Sequence, residues 1–311
     1  ASVYHPTGLT LISKGVEARG TGFAFHGMAG NVGIALGPLV TAVLLLFFDW
    51  RIVAGLLAMP AGIVVAYALT VNFDGTAAVQ VDGGDVGSDD DPVSLSKFFA
   101  DSRILFTGGF LIAFFVVMMN GLFYRGTLTF LPDVLNEFLP AVTDYFQLFD
   151  PESPLAEEFD LAAYVYSGLL IVGIGGQYVA GKLTDSIRPE KGLAVVFAAL
   201  AFVAVIFVPA AETGTAMVLL VSMLLGFLLF ALQPLYQAMI AEYSPPGDRG
   251  LSYGYTYLGS FGIGAAGAAI TGHLLSLLTV GQTFTALAAF PVLGAILAGT
   301  LSWVGPDRWS R

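Results

Sequence analysis

Eight strongly apolar stretches, near residues 20–48, 50–71, 102–131, 160–182, 191–209, 214–241, 249–278 and 282–304, fill most of this chain. A hydrocarbon core roughly 30 Å thick takes about 20 apolar residues in helical form, and every stretch is long enough. Hydrocarbon offers no water to backbone N–H and C=O groups, so such segments satisfy their own hydrogen bonds as helices. Residues 1–13 read as the end of a ninth. The chain is therefore expected to be an all-α membrane protein. Its composition agrees, since 56% hydrophobic and 11% charged residues leave too little polar surface to cover a soluble fold of 311 residues. With no cysteine and three scattered histidines, it offers no thiolate or clustered imidazole site for a metal, and no cofactor is expected.

Orientation follows from the twelve basic residues. If the connection holding Lys14 and Arg19 is cytoplasmic, alternation of the spans puts Lys97, Arg103, Lys182, Arg188, Lys191, Arg249, Arg308 and Arg311 on the same side. Arg51 is then in an outer loop and Arg125 within a span, which is the asymmetry the positive-inside bias produces. The net charge of -11 comes from acidic loops. Asp74, Asp82, Asp85, Asp89, Asp90 and Asp91 crowd a Gly- and Ser-containing connection at 72–101 that reads as a solvated linker. Such loops suit a high-salt cytoplasm, where carboxylates keep surfaces hydrated and salt screens their repulsion. Plain acidic loops are the alternative.

Shifting the chain by 230 residues lays Arg19–Gly20 on Arg249–Gly250 and Gly37 on Gly267, with His5–Pro6 and Gln233–Pro234 at similar intervals before them. Two parallel halves are the economical reading, and parallel repeats about an axis along the membrane normal are a recurrent transporter plan. The second half holds six spans and the first only two and a fraction. Ala1 is accordingly expected to begin a fragment.

The residues resemble a family at two motifs, one in a loop and one in a span. Gly181-Lys-Leu-Thr-Asp185-Ser-Ile-Arg188 looks like the G-x-L-a-D-r-x-G-r loop signature of the major facilitator superfamily, with Ser186 and Pro189 departing from it. Gly33-Ile-Ala-Leu-Gly37-Pro38 resembles the superfamily's antiporter motif, although Thr41–Ala42 stands where a glycine pair is usual. Tyr4-His5-Pro6, His26-Gly27, Gly30-Asn31, Trp50–Arg51 and Tyr124-Arg125-Gly126 are similar to the fosmidomycin-resistance branch of drug-efflux carriers. The resemblance implies two pseudo-symmetric six-helix bundles, here lacking helices 1–3 and part of 4. Residues 1–71 would be the remainder of the first bundle, 72–101 the linker and 102–311 the second bundle. It also implies secondary export of a small organic solute or drug across the plasma membrane by exchange with protons. Proton-linked uptake of a sugar or small carboxylate is the alternative, and a non-transporting remnant or sensor the third reading.

Several residues are candidates for the transport path. Arg125 lies within a span, where a guanidinium is costly and faces a water-filled cavity or a partner; it is expected to bind an anionic group. Met118, Gly121, Thr129 and Pro132 share its helical face. His5 and His26 titrate near neutral pH and are natural proton carriers. Gln233, Tyr236 and Gln237 form one polar face beside Pro234, while Asn31, Asn120 and Tyr124 supply further polar groups. Asp185 and Arg188, with Gly181, are expected to form a cytoplasmic latch, the carboxylate at a helix N-terminus and the arginine paired with it. Gly30, Gly33 and Gly37, leading to Pro38, read as a helix-packing seam. No G-x-x-x-x-G-K-[ST], H-E-x-x-H or G-x-S-x-G motif occurs, which argues against ATP drive and against an intramembrane enzyme. The expected partners are lipid, a small-molecule substrate and protons.

Overall fold

The apolar stretches fold as helices. The computed structural model describes residues 4–45, 47–71, 95–106, 108–139 and 161–305, and among them there is no β-strand. In chain order the helices are α1 (Tyr4–Gly15), α2 (Arg19–Leu45), α3 (Trp50–Ala68), α4 (Leu95–Leu105), α5 (Gly109–Phe138), α6 (Leu161–Thr184), α7 (Pro189–Ala211) and α8 (Thr215–Glu242). A rod then runs from Arg249 through α9 (Arg249–Tyr257), a π-helical turn (Leu258–Gly262) and a 3-10 turn (Ile263–Ala265) into α10 (Ala266–Leu277). The last rod joins α11 (Val280–Leu287) to α12 (Ala289–Val304). Among the described residues six units are long and apolar enough to cross a membrane: α3, α5, α7, α8 and the two composite rods. Helices α2, of 27 residues, and α6, of 24, cover the other two expected stretches.

One boundary differs from expectation. The span expected at 102–131 begins instead at Gly109, behind the separate helix α4. Asp101, Ser102 and Arg103 make the stretch before Gly108 too polar for hydrocarbon. Gly108, at φ 61°, then turns the chain through a backbone conformation that only glycine adopts freely. The acidic stretch at 72–94 lies outside the described residues, as do Arg308 and Arg311.

Small residues set the helix packing. Without a hydrophobic drive between helices in lipid, close backbone approach and dispersion contacts hold them together. A Cβ on Gly176 of α6 would stand within 2.9 Å of the Phe227 carbonyl carbon of α8, and one on Gly226 of α8 would stand 2.5 Å from the Leu169 carbonyl oxygen of α6. Gly121 and Gly126 of α5 meet Gly264 and Gly267 in the same manner. Phe207 and Phe284 stack at 4.8 Å between α7 and α11. Helix α2 joins this core through a seam of Gly20, Ala24 and Gly27 laid on Gly181 and Gln177 of α6.

The seam expected on α2 lies elsewhere. A Cβ on Gly30, Gly33 or Gly37 would meet no described atom within 4 Å, and the Pro38 side chain lies outside the described residues. The i, i+4, i+7 row of small residues that does pack is 20, 24 and 27, about 100° around the helix from the other. Gly267, which the 230-residue shift pairs with Gly37, is tightly packed against the Leu122 carbonyl. Helix α3 is also largely uncovered, with Val53 its buried residue.

Candidate functional site

A cavity of about 370 Å³ opens where α1, α2, α5, α6, α8 and the π-helical turn converge. Each wall follows from a local feature of the chain. Helix α5 presents Asn120, Tyr124, Arg125, Leu128 and Thr129, a stripe at helical spacing. Helix α2 presents His26, Gly27, Gly30, Asn31 and Ile34, and α1 presents His5. From α8 come Gln233 and Tyr236 with Leu229 and Phe230, beside Pro234, which removes one intrahelical hydrogen bond. The π-helical turn carries one residue more than an α-turn and so brings Tyr257, Ser260 and Phe261 together onto the cavity. Gly264 and Gly121 press backbone to backbone behind it and hold that wall in place.

Arg125 is the cation of this cavity. Its guanidinium carbon lies 5.3 Å from the Phe261 ring centre and 5.9 Å from that of Tyr124, within the range of cation–π attraction. Among the described residues no carboxylate pairs with it. His5 and His26 face each other at 5.6 Å between ring centres, flanked by Tyr4 at 5.3 and 5.7 Å and by Tyr257 at 4.9 Å from His5. His5 Nδ1 is buried without a partner. Asn31 and Asn120, 3% and 6% exposed, each leave one amide atom unpartnered, Nδ2 and Oδ1 respectively. Gln177 Nε2 donates to Gln233 Oε1 at 2.6 Å and ties α6 to α8 beneath Gly27.

Eight of the nine expected path residues thus meet in one cavity: Arg125, His5, His26, Asn31, Asn120, Tyr124, Gln233 and Tyr236. Gln237 does not. One residue further round α8, it is fully buried away from the cavity with both amide atoms unpartnered, and its carbonyl accepts from the Tyr253 hydroxyl at 3.0 Å. Gly121, expected on the Arg125 stripe, serves packing instead. Tyr166, Ser260 and Phe261 were not anticipated. Tyr166 carries a sequence signal, since it lies three turns before Gln177 on one face of α6; the other two depend on the π-helical turn, which periodicity does not show.

A second cluster occupies the end of the bundle that holds Lys14, Arg19 and Arg249. Asp185 accepts from the backbone N–H groups of Gly20 at 3.0 Å and Thr21 at 3.2 Å and from the Thr21 hydroxyl. It caps the N-terminus of α2 from the loop that follows α6, where free N–H groups and the helix dipole favour an anion. Gly20 is obligatory there, because a Cβ would overlap the Thr184 hydroxyl and stand 2.5 Å from the Gly181 carbonyl. Arg188 does not pair with Asp185 as expected. It pairs with Glu190, which is fully buried, and its other end lies 3.4 Å from the Ser302 carbonyl. Pro189 starts α7 and points the guanidinium toward α12, away from α2. Tyr243 donates to Glu190 at 3.2 Å; burial, then the Glu190 carboxylate, push its hydroxyl up, so it stays a donor. On the far side, Arg249 Nη1 donates to the Ser13 carbonyl at 2.9 Å, closing the last turn of α1 against α9.

A family model described as Major Facilitator Superfamily matches residues 1–269 and, in a second match, residues 146–308. The chain belongs to the major facilitator superfamily. Its members are membrane transporters and not enzymes, so this is a multi-pass membrane transporter. A comparison with curated proteins returns no significant match.

Proposed function

We propose that this major facilitator is a proton-coupled secondary transporter that binds a small organic solute at Arg125 and moves it by alternating access. The observation that carries the reading is the convergence of a guanidinium, two imidazoles and two unpartnered amides on one cavity between α2 and α8. In a membrane-embedded chain such groups are retained where they meet water, substrate or protons. We place the end with Lys14, Arg19, Asp185 and Arg249 in the cytoplasm of a plasma-membrane protein, following the distribution of basic residues. In this arrangement Asp185 and Arg249 act as the cytoplasmic latch, with Gly181 as the close-approach point, and Arg188 braces α7 against α12. Residues 1–71 would belong to one bundle and 102–311 to the other, joined by the acidic linker.

Export of a drug-like solute in exchange for protons follows the sequence resemblance. Proton-linked uptake of a small carboxylate is the second reading, favoured by the absence of a described carboxylate beside Arg125. The protein reconstituted in vesicles with a trapped pH indicator separates them. Solute added to a vesicle at rest alkalinises the lumen if protons leave as solute enters, and acidifies it if both enter together. The reading fails if no member of a panel of organic acids, amines and sugars evokes a proton flux.

A further inference from the structure

We infer that the cavity selects a monoanion with a flat, largely apolar body, its carboxylate or an equivalent group on Arg125 and a second polar group near Asn31 and Asn120. This rests on the transport reading above and names the class of its substrate. Charge decides the first part. The described lining holds one permanent cation and no Asp or Glu. A neutral ligand would cover Arg125 without compensating it, and a cation would be repelled, whereas a carboxylate accepts two parallel N–H bonds from the guanidinium fork. A second anionic charge would have no permanent cation to meet. The rings of Phe261 and Tyr124 attract the guanidinium without using its in-plane donors, so they hold it in position and leave the fork available.

The walls decide the body. Tyr166, Tyr236, Tyr257 and Phe230 complete an aromatic lining with Tyr124 and Phe261, and Tyr124 meets Phe230 edge-to-face at 5.7 Å. A planar ring gains offset or edge-on contacts with these rings. The volume of about 370 Å³ lies at the small end of ligand pockets and suits a body of one or two rings. Asn31 and Asn120 come from opposite elements, and each has an unpartnered amide atom while more than nine-tenths buried. Leaving such groups bare costs free energy that one hydroxyl on the ligand would recover.

The test uses the full chain in nanodiscs and equilibrium binding of radiolabelled benzoate, with 4-hydroxybenzoate, terephthalate, benzamide and benzylamine as competitors. Benzoate is expected to bind, 4-hydroxybenzoate more tightly, and the dianion, the neutral amide and the amine at least about tenfold more weakly. Arg125→Gln is expected to weaken benzoate by about tenfold or more and to strengthen benzamide, which then no longer covers an uncompensated charge, with Arg125→Lys close to the parent in charge but weaker for lack of the fork. Asn31→Leu and Asn120→Leu are expected to remove the advantage of the 4-hydroxyl while benzoate binding persists. Equal binding of benzoate and benzamide, or an Arg125→Gln protein of normal helicity with unchanged benzoate affinity, overturns the inference and leaves the transport reading standing. Absence of binding by every probe overturns it too; absence of solute-evoked proton flux as well overturns the transport reading itself.

Discussion

Arg125, His5 and His26 line one cavity, so on the proposed reading a proton and an anionic solute would be linked through it. The sign can be worked out. Above the imidazole range both histidines are neutral and Arg125 alone attracts the anion; below it, each protonated ring adds a positive charge. Tyr4 and Tyr257 flank the pair. Benzoate affinity is therefore expected to rise as pH falls from about 8 to about 5.5, and the slope to flatten in His5→Gln/His26→Gln; titration of binding at fixed ionic strength checks it. An unchanged slope in the double variant would remove the histidines from the coupling. Gly20 acts at the same scale through sterics alone. Gly20→Ala places a methyl group onto Thr184, so it should cost about 1–3 kcal/mol at the α2–α6 seam. Thr184→Ala, which deletes the nearest clashing atoms, should restore part of that stability in thermal unfolding of the purified protein.

At the scale of elements, the distinctive joint is one helix capped by the loop of another. Asp185, between α6 and α7, does for α2 what an N-cap residue ordinarily does within its own segment, so the contact exists only while the two helices stay together. Asp185→Asn keeps an acceptor but loses the charge that favours the helix terminus. We expect it to shift the equilibrium toward the separated state by about 1 kcal/mol, roughly fivefold. The chain has no cysteine, so Ser13→Cys, at a fully buried site beside Arg249, gives a clean reporter. Its alkylation should be slow in the parent and about fivefold faster with Asp185→Asn. Equal rates would show that the cap does not hold this end together. Arg188, by contrast, belongs to the α7–α12 joint and should leave the alkylation rate unchanged when replaced by Gln.

For the whole molecule, α1 and α2 close against α9 and α6 at one end, and the cavity lies between the same partners further along. On the alternating-access reading this end would separate during each cycle. A Cβ on Gly250 would stand 3.8 Å from the Thr10 hydroxyl, so Thr10→Cys/Gly250→Cys places two thiols within bridging reach across α1 and α9. Oxidation is expected to abolish solute-evoked proton flux and reductant to restore it. Undiminished flux in the cross-linked protein would show that α1 and α9 do not part during transport. The 230-residue shift pairs Arg19 with Arg249, and each begins a helix at this end.

The helical class and the family were legible in the residues because hydrocarbon imposes a length and a composition on anything that crosses it. The Arg125 stripe was legible for a related reason: a guanidinium in a span is too costly to be there without a solvated or paired environment. Asp185 could be placed at a helix start from its motif. The tertiary structure alone decided which small-residue row of α2 packs, because Gly20, Ala24 and Gly27 differ from Gly30, Gly33 and Gly37 only in having α6 against them. It also decided that Gln237 turns away from the cavity, that Arg188 answers Glu190 and that Ser260 and Phe261 enter the site. Helical periodicity assigns residues to faces of an ideal α-helix, and a π-helical turn or a proline start moves a face without leaving a period to read. What the sequence determined by itself was the solvent each segment must live in; which neighbours the segments met depended on backbone approaches of a few ångströms, set by the packed helices together.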